Sequence, residues 1–118
     1  MFERIPSGLT WHLALRASWD SQRRSPLYRP ESFADDGFIH CTDGEERLLV
    51  PANAYYRHDA RAYVALVIEL ARVTATVRYD DDACIYPHIY GPLEVDAVGE
   101  VREARRAADG TFVGFEAV

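Results

Sequence analysis

The sequence predicts a single α+β domain over residues 1–118, and three observations lead to this prediction. The length of 118 residues is typical of one domain. Hydrophobic residues make up 48% of the chain and charged residues 27%, which is the composition of a protein that folds around a packed core. Strand patterns run through most of the sequence, whereas helical patterns occur near the N-terminal half, so we expect mostly strand with two helices.

The first predicted elements are a strand and a short helix. Large apolar side chains at Trp11 and Leu13 flank His12, and this alternation predicts a strand over residues 10–15 in which His12 points away from Trp11. Residues 16–24 have a helical pattern that ends in two arginines, which complement the helix dipole. Two prolines in residues 25–30 then interrupt any regular element.

A second strand follows a turn. The Asp36-Gly37 pair predicts the turn, and the residues from Phe38 to Thr42 predict a short strand. Alternate residues of a strand point the same way, so His40 shares one face with Phe38 and Thr42.

The middle of the chain predicts a helix and two strands. Apolar residues recur at helical spacing from residue 44 to about residue 57, where Pro51 removes one backbone hydrogen bond. Residues 62–70 are rich in β-branched and aromatic side chains, which indicates a strand buried on both faces. Residues 74–79 predict a further strand before an acidic turn.

The C-terminal part predicts extended structure and a hairpin. Residues 84–93 are aromatic and extended, and Pro87 excludes the middle of this segment from the centre of a sheet because proline cannot donate to the ladder. Residues 97–105 and 111–115 are expected to pair through a turn at Asp109-Gly110.

Charge and cysteine content narrow the functional classes. The 13 basic and 19 acidic residues give a net charge of −6, which argues against a nucleic-acid partner, because such proteins carry a basic surface. No apolar run approaches the roughly 18 residues of a membrane span, and the first residues lack the apolar stretch of a signal peptide. Cys41 and Cys84 are the chain's two cysteines, too few for a disulfide-rich secreted domain, so the chain is expected to be cytoplasmic. A free nucleotide or a small metabolite remains the expected kind of partner.

Three segments that bear histidine could form one site. If they adjoin, imidazole and phenol rings line one concave surface with flat walls for stacking and a few oriented donors, as a small-molecule site requires. The predicted ligand-binding residues are His12, His40, Thr42, His88 and Tyr90.

Each of these residues also has a purely structural interpretation. A single strand histidine, such as His12, is most often a half-buried side chain with satisfied hydrogen bonds. Tyr86 and Tyr90 could pack on a sheet with their hydroxyl groups in water. His58 follows a predicted helix and is interpreted as an exposed complement to its dipole, outside the site.

A metal site and a cysteine nucleophile are also considered for the histidine and cysteine residues. His40 and Cys41 are adjacent strand residues that point to opposite faces, and neither C-x-x-C nor H-E-x-x-H spacing occurs, so no metal is predicted. A site of His12, His40 and His88 would nevertheless be geometrically feasible, which keeps metal-assisted hydrolysis as a third hypothesis. Cys41 is expected to face the core, where a thiol is usually inert. The aspartates at 80–82 lack calcium-loop spacing and are interpreted as a solvated turn.

Four blocks of the sequence together resemble a bacterial family. They are Trp11-His12-Leu13, Tyr28-Arg29-Pro30-Glu31-Ser32-Phe33, Asp36-Gly37-Phe38-Ile39-His40-Cys41-Thr42 and Pro87-His88-Ile89-Tyr90-Gly91-Pro92-Leu93. Their order resembles the family called domain of unknown function 952, from about Thr10 to Phe115. Trp11 stands where a tyrosine is commoner in that family, and Ile85-Tyr86 stand where phenylalanine is frequent.

The resemblance implies a fold related to the ADP-ribosyltransferases, with split antiparallel sheets that hold NAD in a central cleft. In transferases of that fold, a first-strand histidine or arginine meets a ribose or a nicotinamide-side hydroxyl, and a later strand brings a serine or threonine. His12, and His40 with Thr42, look similar to those positions. Glu69 and Glu94 are the available glutamates, but no Q-x-E or E-x-E block surrounds them.

Two hypotheses of function follow. In the first, NAD, ADP-ribose or a related nucleotide is bound or processed on the histidine face, with Arg16 or Arg29 holding phosphate. In the second, the protein is a non-enzymatic module that binds a metabolite or a partner and kept the scaffold without a catalytic carboxylate.

Overall fold

The structure, a computed structural model, describes residues Gly8–Ala117. Within this range the fold is α+β, as predicted, with three α-helices and nine strands that pair antiparallel. The helices are α1 (Arg16–Gln22), α2 (Phe33–Asp36) and α3 (Glu45–Tyr56). The strands are β1 (Leu9–Leu15), β2 (Leu27–Tyr28), β3 (Ile39–His40), β4 (Tyr63–Glu69), β5 (Thr76–Tyr79), β6 (Pro87–Tyr90), β7 (Leu93–Glu94), β8 (Val98–Arg106) and β9 (Phe112–Ala117).

The larger sheet has the strand order β1-β4-β8-β9, so β4 lies inside it and β1 at its edge. The residues of β4 from Tyr63 to Ile68 are all buried, which confirms the prediction of a strand covered on both faces. Leu66 on one face and Ala65 on the other belong to separate core clusters. The predicted C-terminal hairpin is also confirmed, since β8 pairs with β9.

A smaller sheet with the order β3-β6-β5 joins the edge of the larger one at a single point. There the backbones of Trp11 and Thr42 exchange two hydrogen bonds, both of 2.8 Å. The two sheets part beyond this bridge, and the space between them beside β1 becomes the cavity described below.

The core lies on both sides of the larger sheet. On one side, Ile39 of β3 and Ile89 of β6 pack against Leu66 of β4, with Tyr28 fully buried in the same cluster. On the other side, α3 covers the sheet through Leu48. Each sheet therefore has an apolar face that is covered, and β3 and β6 turn their histidine face away from the core.

The position predicted for Pro87 was wrong. Its segment, β6, is the central strand of the smaller sheet. Proline is tolerated because it is the first residue of the strand, where the missing N–H costs little of the ladder. Its carbonyl oxygen still accepts a hydrogen bond of 3.0 Å from the backbone N–H of Cys41.

The helices differ from the prediction at two places. The short helix α2 was not predicted, and the turn predicted at Asp36-Gly37 is the C-terminal end of this helix. Gly37 has φ of 77°, the left-handed conformation that glycine adopts without strain. Helix α1 ends at Gln22, earlier than expected. Helix α3 matches the predicted range closely and contains Pro51 in its interior.

Among the described residues, no helix combines the length and apolar character needed to cross a membrane.

Candidate functional site

A cavity of about 890 Å³ lies beside β1, between α3 and the smaller sheet. This volume is near the upper end of the range of about 300 to 1,000 Å³ that is usual for small-molecule pockets. Helix α3 supplies an apolar wall that includes Pro51, Tyr55 and Tyr56, and the polar side includes His12, His40 and His88. The cavity is therefore enclosed by β1, by α3 and by the face of the smaller sheet that bears His40 and His88.

His12 is buried at the point where the two sheets part, with both ring nitrogens in hydrogen bonds. Its Nδ1 lies 2.7 Å from the carbonyl oxygen of His40 and its Nε2 lies 3.1 Å from the hydroxyl of Tyr28. A carbonyl oxygen only accepts, so Nδ1 carries the proton. Burial lowers the pKa of His12 from 6.5 to about 4, so near neutral pH the ring is uncharged and Nε2 accepts the Tyr28 hydroxyl proton.

The Tyr28 hydroxyl is the buried end of this chain of hydrogen bonds. Tyr28 is fully buried, and burial raises the pKa of its hydroxyl well above the ordinary value. The hydroxyl therefore stays protonated and donates to His12, and Tyr28 lies among the residues that line the cavity.

His40 stands on β3 at the rim of the cavity with a carboxylate behind it. Its Nε2 lies 2.9 Å from Oδ2 of Asp36, the residue one turn earlier at the end of α2. The side chain of His40 is 57% exposed, so its ring is accessible to a ligand.

His88 forms a second pair of the same kind on β6. Its Nδ1 lies 2.9 Å from Oδ2 of Asp80, which also accepts a hydrogen bond from the Tyr90 hydroxyl. The pKa of Asp80 lies below its ordinary value because the hydrogen bonds from Tyr90 and then His88 stabilise the carboxylate. Arg78 lies 3.3 Å from the other oxygen of Asp80 and over the ring of Tyr90.

The two pairs face the same way because β3 and β6 are in register at His40 and His88. The centroids of the two imidazole rings are 5.4 Å apart. Phe38 lies against both: it stacks on His88 at 4.0 Å with an interplanar angle of 20°, and it is tilted against His40 at 4.7 Å. Phe38 thus restricts the orientation of both rings, and each ring is fixed by one aromatic contact and one carboxylate.

The structure brings four of the five predicted ligand-binding residues to the cavity: His12, His40, Thr42 and His88 line it. Tyr90 is outside the lining, and its hydroxyl donates a hydrogen bond to Asp80. The face predicted from the strand period holds for Phe38 and His40, whereas the side chain of Thr42 is buried beside Trp11 at the bridge.

The predicted phosphate and carboxylate residues lie elsewhere. Arg16 pairs with Glu103 at 2.7 Å, and neither Arg16 nor Arg29 lines the cavity. Glu69 is also outside it, and Glu94 accepts hydrogen bonds from the backbone N–H and hydroxyl of Thr74. Among the described lining residues, Arg61 is the guanidinium.

Sequence reasoning missed the three partners that orient the histidines: Asp36, Asp80 and Tyr28. The interpretation of Asp80 as part of a solvated turn was incomplete, because its carboxylate binds His88. The spacing of four residues between Asp36 and His40 was a usable signal within the sequence. Tyr28 and Asp80 became visible only when the strand pairing was known.

The metal and cysteine hypotheses find no support in this geometry. Between Gly8 and Ala117, no three His, Cys, Asp or Glu side chains are arranged to hold a metal ion. Cys41 is buried, and burial raises the pKa of its thiol well above the ordinary value, which leaves it protonated and inert.

Comparison with known proteins identifies the family. The family model described as protein of unknown function (DUF952) matches residues 13–101. The chain belongs to this family. The match confirms the predicted family and includes the two carboxylate–histidine pairs of this DUF952 protein, while His12 lies one residue before it.

Two solved structures resemble this DUF952 protein over most of both chains. The crystal structure of protein CC0527 from Caulobacter crescentus is 26% identical, with a TM-score of 0.76, and the match covers 90% of this chain and 94% of that one. The solution NMR structure of CC0527 is 26% identical, with a TM-score of 0.68 over 86% and 89% of the two chains. Both are structural genomics targets. No curated protein matches the chain.

Proposed function

We propose that this protein binds NAD, ADP-ribose or a related nucleotide in the cavity beside β1. The observation that carries the proposal is the convergence of His12, His40 and His88 on one cavity, although 76 positions separate the first from the last. Residues so far apart meet there because a backbone bridge joins Trp11 of β1 to Thr42, which follows β3, and because β3 pairs with β6 at His40 and His88. The volume of about 890 Å³ is sufficient for a ligand of this size.

Aromatic side chains supply surfaces on which a base or a nicotinamide ring can lie. Tyr55 and Tyr56 of α3 line the cavity, and Tyr86 lines it from the segment before β6. Tyr55 is 79% exposed, so its ring has a face free for a planar ligand. A flat heterocycle placed there would extend its sugar toward the histidine rim.

The diphosphate is placed near Arg61, at the outer edge of the cavity. Arg61 lies 2.7 Å from Asp59 and 3.4 Å from Glu31, and its side chain is 57% exposed. Two carboxylates hold the guanidinium in position, and its exposed face can still donate to phosphate oxygens. Asp80 and Asp81 also line the cavity, and an anion is disfavoured near their carboxylates.

The cavity lies beside two antiparallel sheets, an arrangement that supports the resemblance to the ADP-ribosyltransferases, whose split sheets hold NAD in a cleft. The proposal assigns the same class of ligand to this cavity. The two free cysteines, Cys41 and Cys84, fit a cytoplasmic protein with such a ligand.

A second candidate is a module that binds the nucleotide without processing it. It is favoured by the positions of Glu69 and Glu94, the two glutamates considered for catalysis, because neither lines the cavity. Incubation of NAD with the protein, followed by chromatography of released nicotinamide, separates the two candidates. Turnover that survives both Glu69→Ala and Glu94→Ala would show processing by other residues, and no turnover despite binding would favour the module.

Isothermal titration calorimetry with NAD and with ADP-ribose tests the proposal itself. We expect saturable heat with at least one of them, and a Kd at least about tenfold higher for His40→Ala. His58→Ala is the matched control, because His58 is exposed and lies outside the cavity lining. Absence of heat with both ligands at millimolar concentration, in a folded sample, would refute the proposal.

A further inference from the structure

We propose that His40 and His88 recognise a vicinal diol, such as the 2′- and 3′-hydroxyls of a ribose, and do not recognise phosphate. This inference rests on the proposed function, because it states which part of the nucleotide meets the histidine rim.

The carboxylates behind the two rings determine where the ring protons lie. A carboxylate only accepts hydrogen bonds, so the nitrogen that faces it must carry the proton. Nε2 of His40 faces Asp36 and Nδ1 of His88 faces Asp80. In the neutral form of each ring the remaining nitrogen, Nδ1 of His40 and Nε2 of His88, therefore has a lone pair and no hydrogen. Each pair presents an acceptor.

Several other polar groups around the cavity, apart from Arg61, are acceptors as well. The Tyr63 hydroxyl donates to Asp59 at 2.7 Å, so its oxygen keeps lone pairs. The Asp81 carboxylate accepts from the backbone N–H groups of Ile85 and Tyr86. A ligand that bonds to such a set must bring its own donors.

Phosphate does not match the histidine rim. The diphosphate oxygens of NAD only accept hydrogen bonds, so they have no proton to donate to a ring nitrogen that carries none. Asp36 and Asp80 stand directly behind the rings, and Asp81 lines the same side, so an anion would also meet repulsion. Hydroxyl groups are uncharged and donate, which is what the rim requires.

The spacing of the two rings suits a pair of neighbouring hydroxyls. The imidazoles lie side by side at paired positions of neighbouring strands, with ring centroids 5.4 Å apart. Two acceptors on adjacent rings at this separation suit two donors on adjacent carbon atoms. Each ring is restrained by Phe38 and by its carboxylate, so the acceptors are oriented before a ligand arrives.

The test compares three probes at about pH 8. Adenosine carries the diol, 2′,3′-dideoxyadenosine lacks it, and inorganic pyrophosphate carries only the anion. Binding is followed by calorimetry and by the ring nitrogen signals of the four histidines in NMR spectra.

We expect adenosine to bind at least about tenfold more tightly than 2′,3′-dideoxyadenosine, since two hydrogen bonds are lost. Adenosine should shift the signals of His40 and His88, leave those of His58 unchanged, and lose this preference in His40→Ala and in His88→Ala. Equal binding of the two nucleosides, no binding of adenosine at millimolar concentration, or a shift of both rings by pyrophosphate would each overturn the inference. If NAD binds while the two nucleosides bind equally, the diol inference fails and the proposed function stands. If adenosine binds through its diol but neither NAD nor ADP-ribose binds, the diol inference stands and the proposed function fails.

Discussion

The Nδ1 atom of His12 lies 2.7 Å from the carbonyl oxygen of His40, which ties the first strand of the larger sheet to the first strand of the smaller one. This bond adds a side-chain link to the backbone bridge between Trp11 and Thr42. Both nitrogens of His12 form hydrogen bonds within the protein, whereas His40 and His88 each bond to a carboxylate through one nitrogen. We propose that the second nitrogen of His40 and of His88 serves a ligand, while His12 links the two sheets.

Replacement of Tyr28 by phenylalanine should destabilise the protein by about 1 to 3 kcal/mol, because it leaves the buried Nε2 of His12 without a donor. Urea unfolding measures the loss. The matched control is Tyr55→Phe, whose ring is 79% exposed and which should change the free energy of unfolding by less than about 0.5 kcal/mol. Equal effects of the two substitutions would show that the Tyr28 hydroxyl does not donate to His12.

Acidification should weaken the fold through His12. The pKa of His12 is about 4 in the folded protein and 6.5 as its ordinary value, because burial disfavours the charged ring. Between these values the unfolded chain binds a proton on this residue that the folded chain does not. The free energy of unfolding therefore falls as the pH is lowered from 6.5 to about 4, by up to about 3 kcal/mol, and this contribution changes no further below that range.

The variant His12→Gln isolates this effect from the carboxylates that also titrate in acid. Glutamine offers a donor and an acceptor but does not ionise. The difference in unfolding free energy between the natural protein and the variant, measured at several pH values, should shrink steadily from pH 6.5 to about 4. A difference that is constant over this range would contradict a lowered pKa at His12.

Gly110 should not tolerate a side chain. It has φ of 93°, and a Cβ built there overlaps the carbonyl oxygen of Arg57. Gly110→Ala should cost about 2 kcal/mol or more of stability. Gly114→Ala provides the comparison, since a Cβ there meets nothing within 4 Å and φ is outside the left-handed region. If thermal unfolding shows the same stability for both variants, Gly110 does not adopt the left-handed conformation against Arg57.

Phe38→Leu should weaken ligand binding through the histidine rings. Leucine keeps an apolar side chain but removes the ring that stacks on His88 at 4.0 Å, a contact worth about 0.5 to 1.5 kcal/mol. The Kd for NAD should rise severalfold in calorimetry. Val113→Ala, at an exposed position on β9, is expected to leave the Kd unchanged. An unaltered Kd for Phe38→Leu would mean that the orientation of His88 does not depend on Phe38.

Local patterns predicted the elements that have strong periodicity or composition. The apolar run of β4, the helical spacing of α3 and the Asp109-Gly110 hairpin were each evident in a few consecutive residues. Helix α2 has only four residues, too few for a periodic pattern. The interior position of Pro87 depends on β3 and β5 lying on its two sides, and this is a property of the whole sheet.

The site shows the same division between local and long-range information. That Phe38 and His40 share a face could be predicted from the alternation of side chains along a strand. That Asp80 and His88 lie beside them depends on how β3, β5 and β6 pair, which no local pattern contains. His12, a predicted ligand-binding residue, lines the cavity and also forms hydrogen bonds through both ring nitrogens within the fold. A histidine count alone does not separate these roles.

The most direct test of a nucleotide site at the histidine rim is a titration of the protein with NAD while the ring nitrogen signals of its four histidines are recorded by NMR. Without ligand, we expect a proton on Nδ1 of His12, on Nδ1 of His88 and on Nε2 of His40. On addition of NAD, the signals of His40 and His88 should move together while those of His58 stay fixed. Movement of His58 alone, or no movement of any histidine at saturating millimolar NAD, would contradict a nucleotide site at this rim.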